Sequence, residues 1–411
     1  MNLIDIHCHP SMKINLFGIR IDKKRSFLKF LPHMLLNLPS MRKGGLNAAV
    51  SVHYLLEEEL RLHFGKFFPG EIIGAIMIGV LDHVNNLLEV KSNPDLTFSR
   101  MLNIMDKFSN QITKLGNNSN VIIAKNFQEF EKQIKEGKTV FVHSVEGAHC
   151  LGSDVSKVEG HLDQLIDRGL CQFTLGHFFE NVLVSSSGGI PPFIRDFLEY
   201  DLVTETTYSN GYNEKNDIAN KVINTLLDKG IVIDLVHCHK GAKKMVYDMN
   251  KARGTNMRPL IFSHTGILEV VMGRNPDFTQ NDKNFFMDYL PDSTDILEIK
   301  NCKGVFGIIF MDYWLNGLDN TDNGIDFIID TIKFIANVCG NYEHISLGSD
   351  MDGFTEVPKD LEGPEFLPNL ISRMKSAGIS DDDVSKICFE NYRRVLKLGW
   401  GSSMQLFPNI L

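Results

Sequence analysis

Residues 3–9 read Leu-Ile-Asp-Ile-His-Cys-His, a short apolar run that ends in two histidines. Its length and its isoleucines are typical of a buried β-strand rather than a helix. Alternate residues of a strand face the same side, so His7 and His9 should share one face while Cys8 points to the other. The same kind of run recurs along the chain, and this recurrence decides the fold.

Seven further segments of strand length are rich in Val, Ile, Leu and Phe. They lie at 46–53, 139–145, 170–177, 231–237, 260–264, 305–310 and 344–350. Residues 127–134 and 219–227 have the apolar spacing of helices, and a glycine ends each helix before the next strand. Apolar strands that alternate with helices indicate a parallel sheet buried on both faces. Eight of them predict an α/β fold of the (β/α)8 TIM barrel type.

The length of 411 residues is compatible with several domains or with one enlarged barrel. We expect a single domain over residues 1–411, with long connections after the second and fourth strands. These connections, 54–138 and 178–230, lie where barrel enzymes build lids and specificity loops.

The composition makes some classes of binding partner improbable, namely nucleic acids and anionic membranes. The net charge is −9, from 42 Lys and Arg against 51 Asp and Glu, so binding to nucleic acid or to an anionic membrane is not expected. The apolar runs are shorter than the ~20 residues that span a bilayer. The amino terminus has no secretory signal pattern, and the seven cysteines form no C-x-x-C pair. We therefore predict a cytoplasmic protein that acts on a small molecule.

The ends of the predicted strands carry a strong chemical signal. In a parallel barrel all carboxyl ends meet on one face, where reactive groups gather. Seven of the eight strand ends have a side chain that can bind a metal, and these residues are His7 with His9, His53, Glu146, His177, His237, His264, and Asp350 with Asp352. This pattern predicts a metal site built from several strands.

Some assignments remain open at the level of the residues. Glu146 could bridge two cations or be a solvated loop acid. Asp350 suits a general base near metals. His239 lies two residues after His237 and is an alternative ligand, whereas His177 could be a hydrogen-bonded core histidine. Any one of these histidines alone could be part of the core.

At this point the chain resembles the membrane (renal) dipeptidase family, which are zinc hydrolases of the amidohydrolase superfamily. The resemblance rests on motifs spread over most of the chain, namely Asp5–Pro10, Gly44–Gly45, Ser144–His149, Thr174–His177, Ile233–His237, Ile261–His264, Arg274–Asn275, Leu347–Gly353 and the tail Asp381–Leu396. It implies a TIM barrel of the metal-dependent hydrolase type with two Zn²⁺ ions per chain, although other divalent metals are compatible.

The resemblance also implies a role for each residue. His7, the residue at position 9 and Glu146 would bind one zinc; Glu146, His237 and His264 would bind the second. Asp350 would be the general base, His177 would stabilise the oxyanion, and Arg274 would bind a substrate carboxylate unless it is a solvated surface arginine. Position 9 departs from the family pattern His-x-Asp, because this chain has His-x-His.

These observations lead to three functional hypotheses. The first is a binuclear zinc hydrolase of the dipeptidase type, in which a hydroxide between the metals attacks the amide carbonyl of a dipeptide or another small amide. The second keeps the barrel and metals but changes the substrate to a lactone, cyclic amide or ester. The third is a non-catalytic metal-binding scaffold. The resemblance further implies a homodimer, which nothing in the residues decides.

Overall fold

A computed structural model describes residues 1–24, 33–57, 95–190, 207–318, 323–353 and 356–401. Nine strands form one parallel sheet: β1 (Ile4–Cys8), β2 (Ala48–His53), β3 (Val121–Ile123), β4 (Thr139–Glu146), β5 (Leu170–Thr174), β6 (Val232–Asp234), β7 (Leu260–Thr265), β8 (Val305–Ile308) and β9 (Ile345–Leu347). Their order is β1-β2-β4-β5-β6-β7-β8-β9, and β3 pairs with β4. The predicted α/β barrel is confirmed.

The barrel closes where β9 meets β1. The backbone N–H of Asp350 donates to His7 at 2.9 Å, and that of His9 donates to Met351 at 2.8 Å. The ninth strand, β3, was not predicted. It pairs with the first half of β4, from Thr139 to Phe141, and β5 pairs with the second half from His143 onward. An additional strand is accommodated without widening the ring of eight.

Helices cover the barrel between successive strands. They are α1 (Pro10–Phe17), α2 (Leu38–Gly44), α3 (Asp95–Leu115), α4 (Phe127–Lys135), α5 (Val158–Asp167), α6 (Ile218–Lys229), α7 (Lys240–Lys251), α8 (Leu268–Arg274), α9 (Gln280–Tyr289), α10 (Ser293–Asn301), α11 (Asp312–Asn316), α12 (Gly324–Cys339), α13 (Leu367–Ser376), α14 (Asp381–Ser385) and α15 (Asn391–Gly399). The two helices predicted at 127–134 and 219–227 correspond to α4 and α6. Gly45 and Gly230 end α2 and α6 in the left-handed conformation, as the sequence predicts.

The apolar core has two parts. Phenylalanines such as Phe173 and Phe306 pack outward between the strands and the helices. A second cluster joins inward residues such as Ile6 and Val50 to Tyr392 on α15. The Tyr392 hydroxyl donates to Gln172 at 2.7 Å, so the last helix packs under the barrel and leaves its opposite end for the site.

The strands end earlier than the sequence predicts. The segments 170–177, 231–237, 305–310 and 344–350 lose between two and three residues at their carboxyl ends, because the chain turns there out of the ladder. His237 and Asp350 have positive φ angles of 63° and 56°, which a strand cannot contain. Several site residues therefore lie on the turns after the strands.

The two long connections are described in part. Residues 58–94 and 191–206 lie outside the described residues. The lids expected in these two connections therefore stay a prediction. The described part of the first connection contributes α3, β3 and α4. In the second, Ser186 forms a bridge with Cys238, which fixes residues 184–190 beside the barrel mouth. Among the described residues, no helix has the length and apolarity needed to cross a bilayer.

Candidate metal centre

The five predicted ligands come from four strands and meet at the carboxyl end of the barrel. His7, Glu146 and His264 lie within β1, β4 and β7, and Glu146 is the last residue of its strand. His9 follows β1 directly, and His237 lies three residues after β6. All five are buried. The structure thus brings together the five residues that the family resemblance nominates as ligands.

Glu146 lies at the centre of this cluster. Its Oε1 is 3.4 Å from His7 Nε2, 3.7 Å from His264 Nε2 and 3.9 Å from His237 Nε2. Its Oε2 is 3.4 Å from His9 Nε2 and 3.8 Å from His177 Nε2. Five imidazoles therefore present the same ring nitrogen to one carboxylate. Because imidazoles face both oxygens of this carboxylate, it has the position that a bridge between two cations needs.

The imidazoles form two close pairs. The Nε2 atoms of His7 and His9 are 3.1 Å apart, which confirms that both histidines face one side. Those of His264 and His237 are 3.3 Å apart. Asp350 joins the first pair, because its Oδ1 is 3.0 Å from His9 Nε2 and 3.8 Å from His7 Nε2. Each pair lies within one of the two ligand sets that the resemblance implies, but His7, Glu146 and His264 are also close enough together to bind one ion. The division into two ligand sets stays a prediction.

Burial governs the protonation of these groups. It lowers the pKa of His7, His237 and His264 well below the ordinary value, and neighbouring imidazoles lower it further. Burial also raises the pKa of the Glu146 carboxyl, and the negative charge of Asp350 raises this pKa further. Neutral imidazoles are the form that binds metals.

The residues present fit a metal centre. Glu146 Oε1 and His9 Nδ1 are buried and form no hydrogen bond within the described part of the chain. A buried carboxylate oxygen without a donor is costly, and a cation would satisfy it. Imidazole and carboxylate donors together suit Zn²⁺ and similar divalent ions.

The backbone at the site is held in unusual conformations. His237 and Asp350 adopt left-handed φ angles, which non-glycine residues seldom do. At Asp350 the neighbouring Ser349 holds the turn, because its backbone N–H donates to Asp5 Oδ1 at 3.0 Å. His237 Nδ1–H donates to the Gly188 carbonyl at 3.4 Å, which leaves its Nε2 facing Glu146. These contacts aim the two side chains into the cluster.

A pocket opens above the cluster. Its lining includes the polar residues His9, His177, Glu146 and Asp350 and the apolar or aromatic residues Met12, Phe178, Tyr289, Ile309 and Trp314. Tyr289 and Trp314 pack with ring centroids 4.1 Å apart. This lining suits a small substrate that has both a polar group and an apolar group.

Four of the residues singled out in the sequence lie outside the cluster. Arg274 forms an ion pair with Asp330 and lies over the Phe327 ring, so the structure does not bring it to the pocket. His53 is 2.7 Å from His143, behind the barrel wall. His239 accepts from the Gly241 backbone N–H at the start of α7, and Asp352 accepts from the backbone N–H groups of Leu35 and Leu36. These two residues have local structural roles.

The sequence analysis missed Glu57. This buried carboxylate follows β2 by four residues and accepts from His177 Nδ1–H at 2.6 Å and from the Phe178 backbone N–H at 3.2 Å. The Tyr54 hydroxyl donates to its other oxygen. Burial alone would raise the pKa of Glu57, but the imidazoles of His177 and His149 and these hydrogen bonds lower it well below its usual range. Nothing in the local sequence marks one acid among the three at 57–59.

Trp314 was also missed, and so was Tyr289. Trp314 lies on α11, a helix of five buried residues that follows β8, and Tyr289 is the last residue of α9.

The family model of the membrane dipeptidases, peptidase family M19, matches residues 1–399 of the chain. The chain belongs to this family. Among curated proteins it is 25% identical over 264 residues to dipeptidase tcpJ of Claviceps purpurea, an overlap of 64% of this chain and 52% of that protein. It is 26% identical over 254 residues to an uncharacterized dipeptidase of Schizosaccharomyces pombe, covering 62% and 51%. The chain spans about half the length of these curated relatives.

Solved structures share the fold of this membrane dipeptidase family member. A metallopeptidase from Rhodobacter sphaeroides, liganded with a phosphinate mimic of the dipeptide L-Ala-D-Ala, superposes with a TM-score of 0.68 at 16% identity. The match covers 97% of this chain and 99% of that one. The overall fold is thus common to both.

Proposed function

We propose that the protein is a metal-dependent hydrolase that cleaves dipeptides or similar small amides. The observation that carries this proposal is the convergence of five imidazoles on Glu146, with Asp350 at 3.0 Å from His9, in a chain of the membrane dipeptidase family. The curated relatives named as dipeptidases and the neighbour with a bound dipeptide mimic support the substrate class.

The donors fit two divalent cations, and we propose Zn²⁺ for both. His7, His9 and Glu146 would hold one ion; Glu146, His237 and His264 would hold the other. Bound there, two metals would lower the pKa of a shared water to about 7 and polarise the substrate carbonyl. His9 stands where the family has an aspartate. Compared with the family site, the first ion would therefore have a neutral imidazole in place of a negatively charged carboxylate.

The chain's own groups would handle the proton and the developing charge. Asp350 would accept the proton of the attacking water and pass it to the leaving amine, which its position beside His9 and His7 supports. His177, as an imidazolium whose Nδ1–H donates to the Glu57 carboxylate at 2.6 Å, would donate from Nε2 to the oxyanion. Losing such a donor typically costs about 10²–10³-fold in rate.

The pocket wall would select the substrate. Phe178, Tyr289 and Trp314 offer apolar surface to a side chain. Within the described residues this lining includes no Lys or Arg, since Arg274 is paired with Asp330. A substrate with an apolar side chain is therefore favoured over one bound through a charged terminus.

That last feature favours a second candidate, hydrolysis of a lactone, cyclic amide or ester. Such substrates need no arginine to bind a terminal carboxylate. A non-catalytic scaffold has no comparable support, because Asp350 and a cavity adjoin the ligands. The cytoplasmic location and the homodimer stay predictions.

A panel assay separates the candidates. The purified protein is loaded with Zn²⁺ and incubated with L,L and L,D dipeptides, lactones, cyclic amides and esters. Release of amino acids that stops with chelation and returns with Zn²⁺ supports the dipeptidase. Turnover of lactones or cyclic amides without amino-acid release would overturn it in favour of the second candidate.

A further inference from the structure

A buried group of polar side chains lies directly behind the ligands. Asp234 ends β6, Ser263 lies in β7 and Thr174 ends β5, and none of the three is exposed. The Ser263 hydroxyl is 2.6 Å from Asp234 Oδ2, 2.8 Å from His7 Nδ1 and 2.9 Å from His264 Nδ1. One hydroxyl thus contacts an imidazole of each close pair.

The backbone explains how two neighbours in sequence reach the same place. Adjacent residues of a regular strand face opposite sides. Between Phe262 and Thr265 the pairing of β7 with β8 shifts register. An irregularity of this kind redirects a side chain. Ser263 and His264 therefore both turn toward the barrel interior.

The hydrogen bonds of Asp234 fix the direction of the hydroxyl proton. Its Oδ2 also accepts from Thr174 Oγ1 at 2.6 Å, and its Oδ1 accepts from the backbone N–H groups of Ser263 at 2.9 Å and Val236 at 3.3 Å. A carboxylate accepts only, so the Ser263 hydroxyl must donate its single proton to Asp234.

The two lone pairs of the Ser263 hydroxyl oxygen then face the imidazoles of His7 and His264. A lone pair can only accept a hydrogen bond, so both histidines must donate from Nδ1–H. In the opposite tautomer Nδ1 of the imidazole is an acceptor and would need the Ser263 hydroxyl proton. The Ser263 hydroxyl oxygen and Asp234 Oδ2 would then lie 2.6 Å apart with no hydrogen between them. With Nδ1 protonated, both Nε2 atoms keep their lone pairs, and these atoms face Glu146 at 3.4 Å and 3.7 Å.

We propose that Ser263, oriented by Asp234, is a positioning residue that sets the metal-binding tautomer of His7 and His264 together and so couples the two metal sites. The inference rests on the proposed metal centre and is independent of the substrate. Partners behind metal ligands typically contribute about 10- to 100-fold in metal affinity. Because Ser263 serves one ligand of each set, its loss acts on both ions.

The first test reads the tautomers without any metal. The metal-free full chain is labelled with ¹⁵N-histidine, its signals are assigned with His7→Gln and His264→Gln variants, and ring nitrogens are recorded by NMR above pH 7.5. Both histidines are expected as the Nδ1–H form in the unmodified protein. Finding either one as the Nε2–H form would overturn the proposal, whatever reaction the protein catalyses.

The second test measures metal binding. Zn²⁺ affinity is determined by competition with a chelator for the unmodified chain, Ser263→Ala and a control. Ser346→Ala is matched, because this hydroxyl lies on β9, two strands from β7, is equally buried and forms no hydrogen bond within the described residues. Ser263→Ala should weaken both ions by about 10- to 100-fold, with Ser346→Ala near the unmodified value.

A loss confined to one ion, or equal effects of the two alanine variants, would contradict the coupling. If Ser263→Ala fails to fold, Asp234→Asn serves instead. The amide of the introduced side chain can donate to Ser263, which frees the hydroxyl proton for an imidazole. One of the two histidines should then change tautomer, and unchanged spectra in a folded Asp234→Asn protein would refute the assignment.

Discussion

Replacing Glu57 by Gln tests whether this carboxylate positions and charges His177 for its proposed role in stabilising the oxyanion. Glu57 is 2% exposed, and its Oε1 accepts from His177 Nδ1–H at 2.6 Å. Gln keeps the shape and an acceptor oxygen but removes the charge. A hydrogen bond to a charged group contributes about 1.5–3 kcal/mol and a neutral one about 0.5–1.5 kcal/mol, so the change removes about 1–1.4 kcal/mol. At about 1.36 kcal/mol per factor of ten, kcat/KM should fall about 5- to 10-fold.

The assay compares kcat and KM on the best substrate of the panel, together with metal content. Because Glu57 would act through His177 and not through the ligands, kcat should carry the loss while the bound metal stays unchanged. A double-mutant cycle with His177→Ala should show that Glu57→Gln costs little once the imidazole is gone. Glu269→Gln is the control, since this carboxylate accepts from Ser293 away from the pocket. Additive losses in the cycle would refute the reasoning.

Three further outcomes follow from the structure. Glu146→Gln should release both metals together, measured by elemental analysis, because its two oxygens face both imidazole pairs; a variant that keeps one tightly bound ion contradicts the bridge. Arg274→Ala should change kcat/KM by less than about twofold, as expected for a surface pair with Asp330, and a tenfold rise in KM would restore the family-derived role. His143 is buried, which lowers its pKa to about 4. The unfolded chain therefore binds more protons below the ordinary value of 6.5. The free energy of unfolding should fall by up to about 3 kcal/mol as the pH drops from 6.5 to 4. His143→Gln should flatten this decline in denaturant titrations of the metal-free chain between pH 7 and 5, and an unchanged slope would refute it.

The sequence predicted the barrel and the residues that meet at its mouth because both depend on a local pattern. Each strand is a short apolar run, and each proposed ligand is a metal-binding residue type at or near its end, as with His7 in β1 and Glu146 in β4. Such patterns survive in a single sequence. The motifs around these residues also pointed to the family, which the match over residues 1–399 confirms.

What the sequence could not give depends on contacts between distant residues. Glu57 lies 120 positions before His177, and only the folded barrel brings the two to 2.6 Å. The strand β3 has three residues and too weak a pattern to be predicted. Arg274 matches a family motif, but its partner Asp330 lies 56 positions away and directs the guanidinium elsewhere. A motif identifies a residue type and not its orientation.

The left-handed backbone at His237 and Asp350 has a consequence for engineering. A non-glycine residue in this conformation costs about 1–2 kcal/mol, and glycine would relieve that cost at both positions. Selection for heat resistance alone would thus favour Gly at the positions of a proposed metal ligand and the proposed general base. Libraries screened only for survival at high temperature should accumulate stable and inactive chains, so any stabilisation campaign has to hold these two positions fixed.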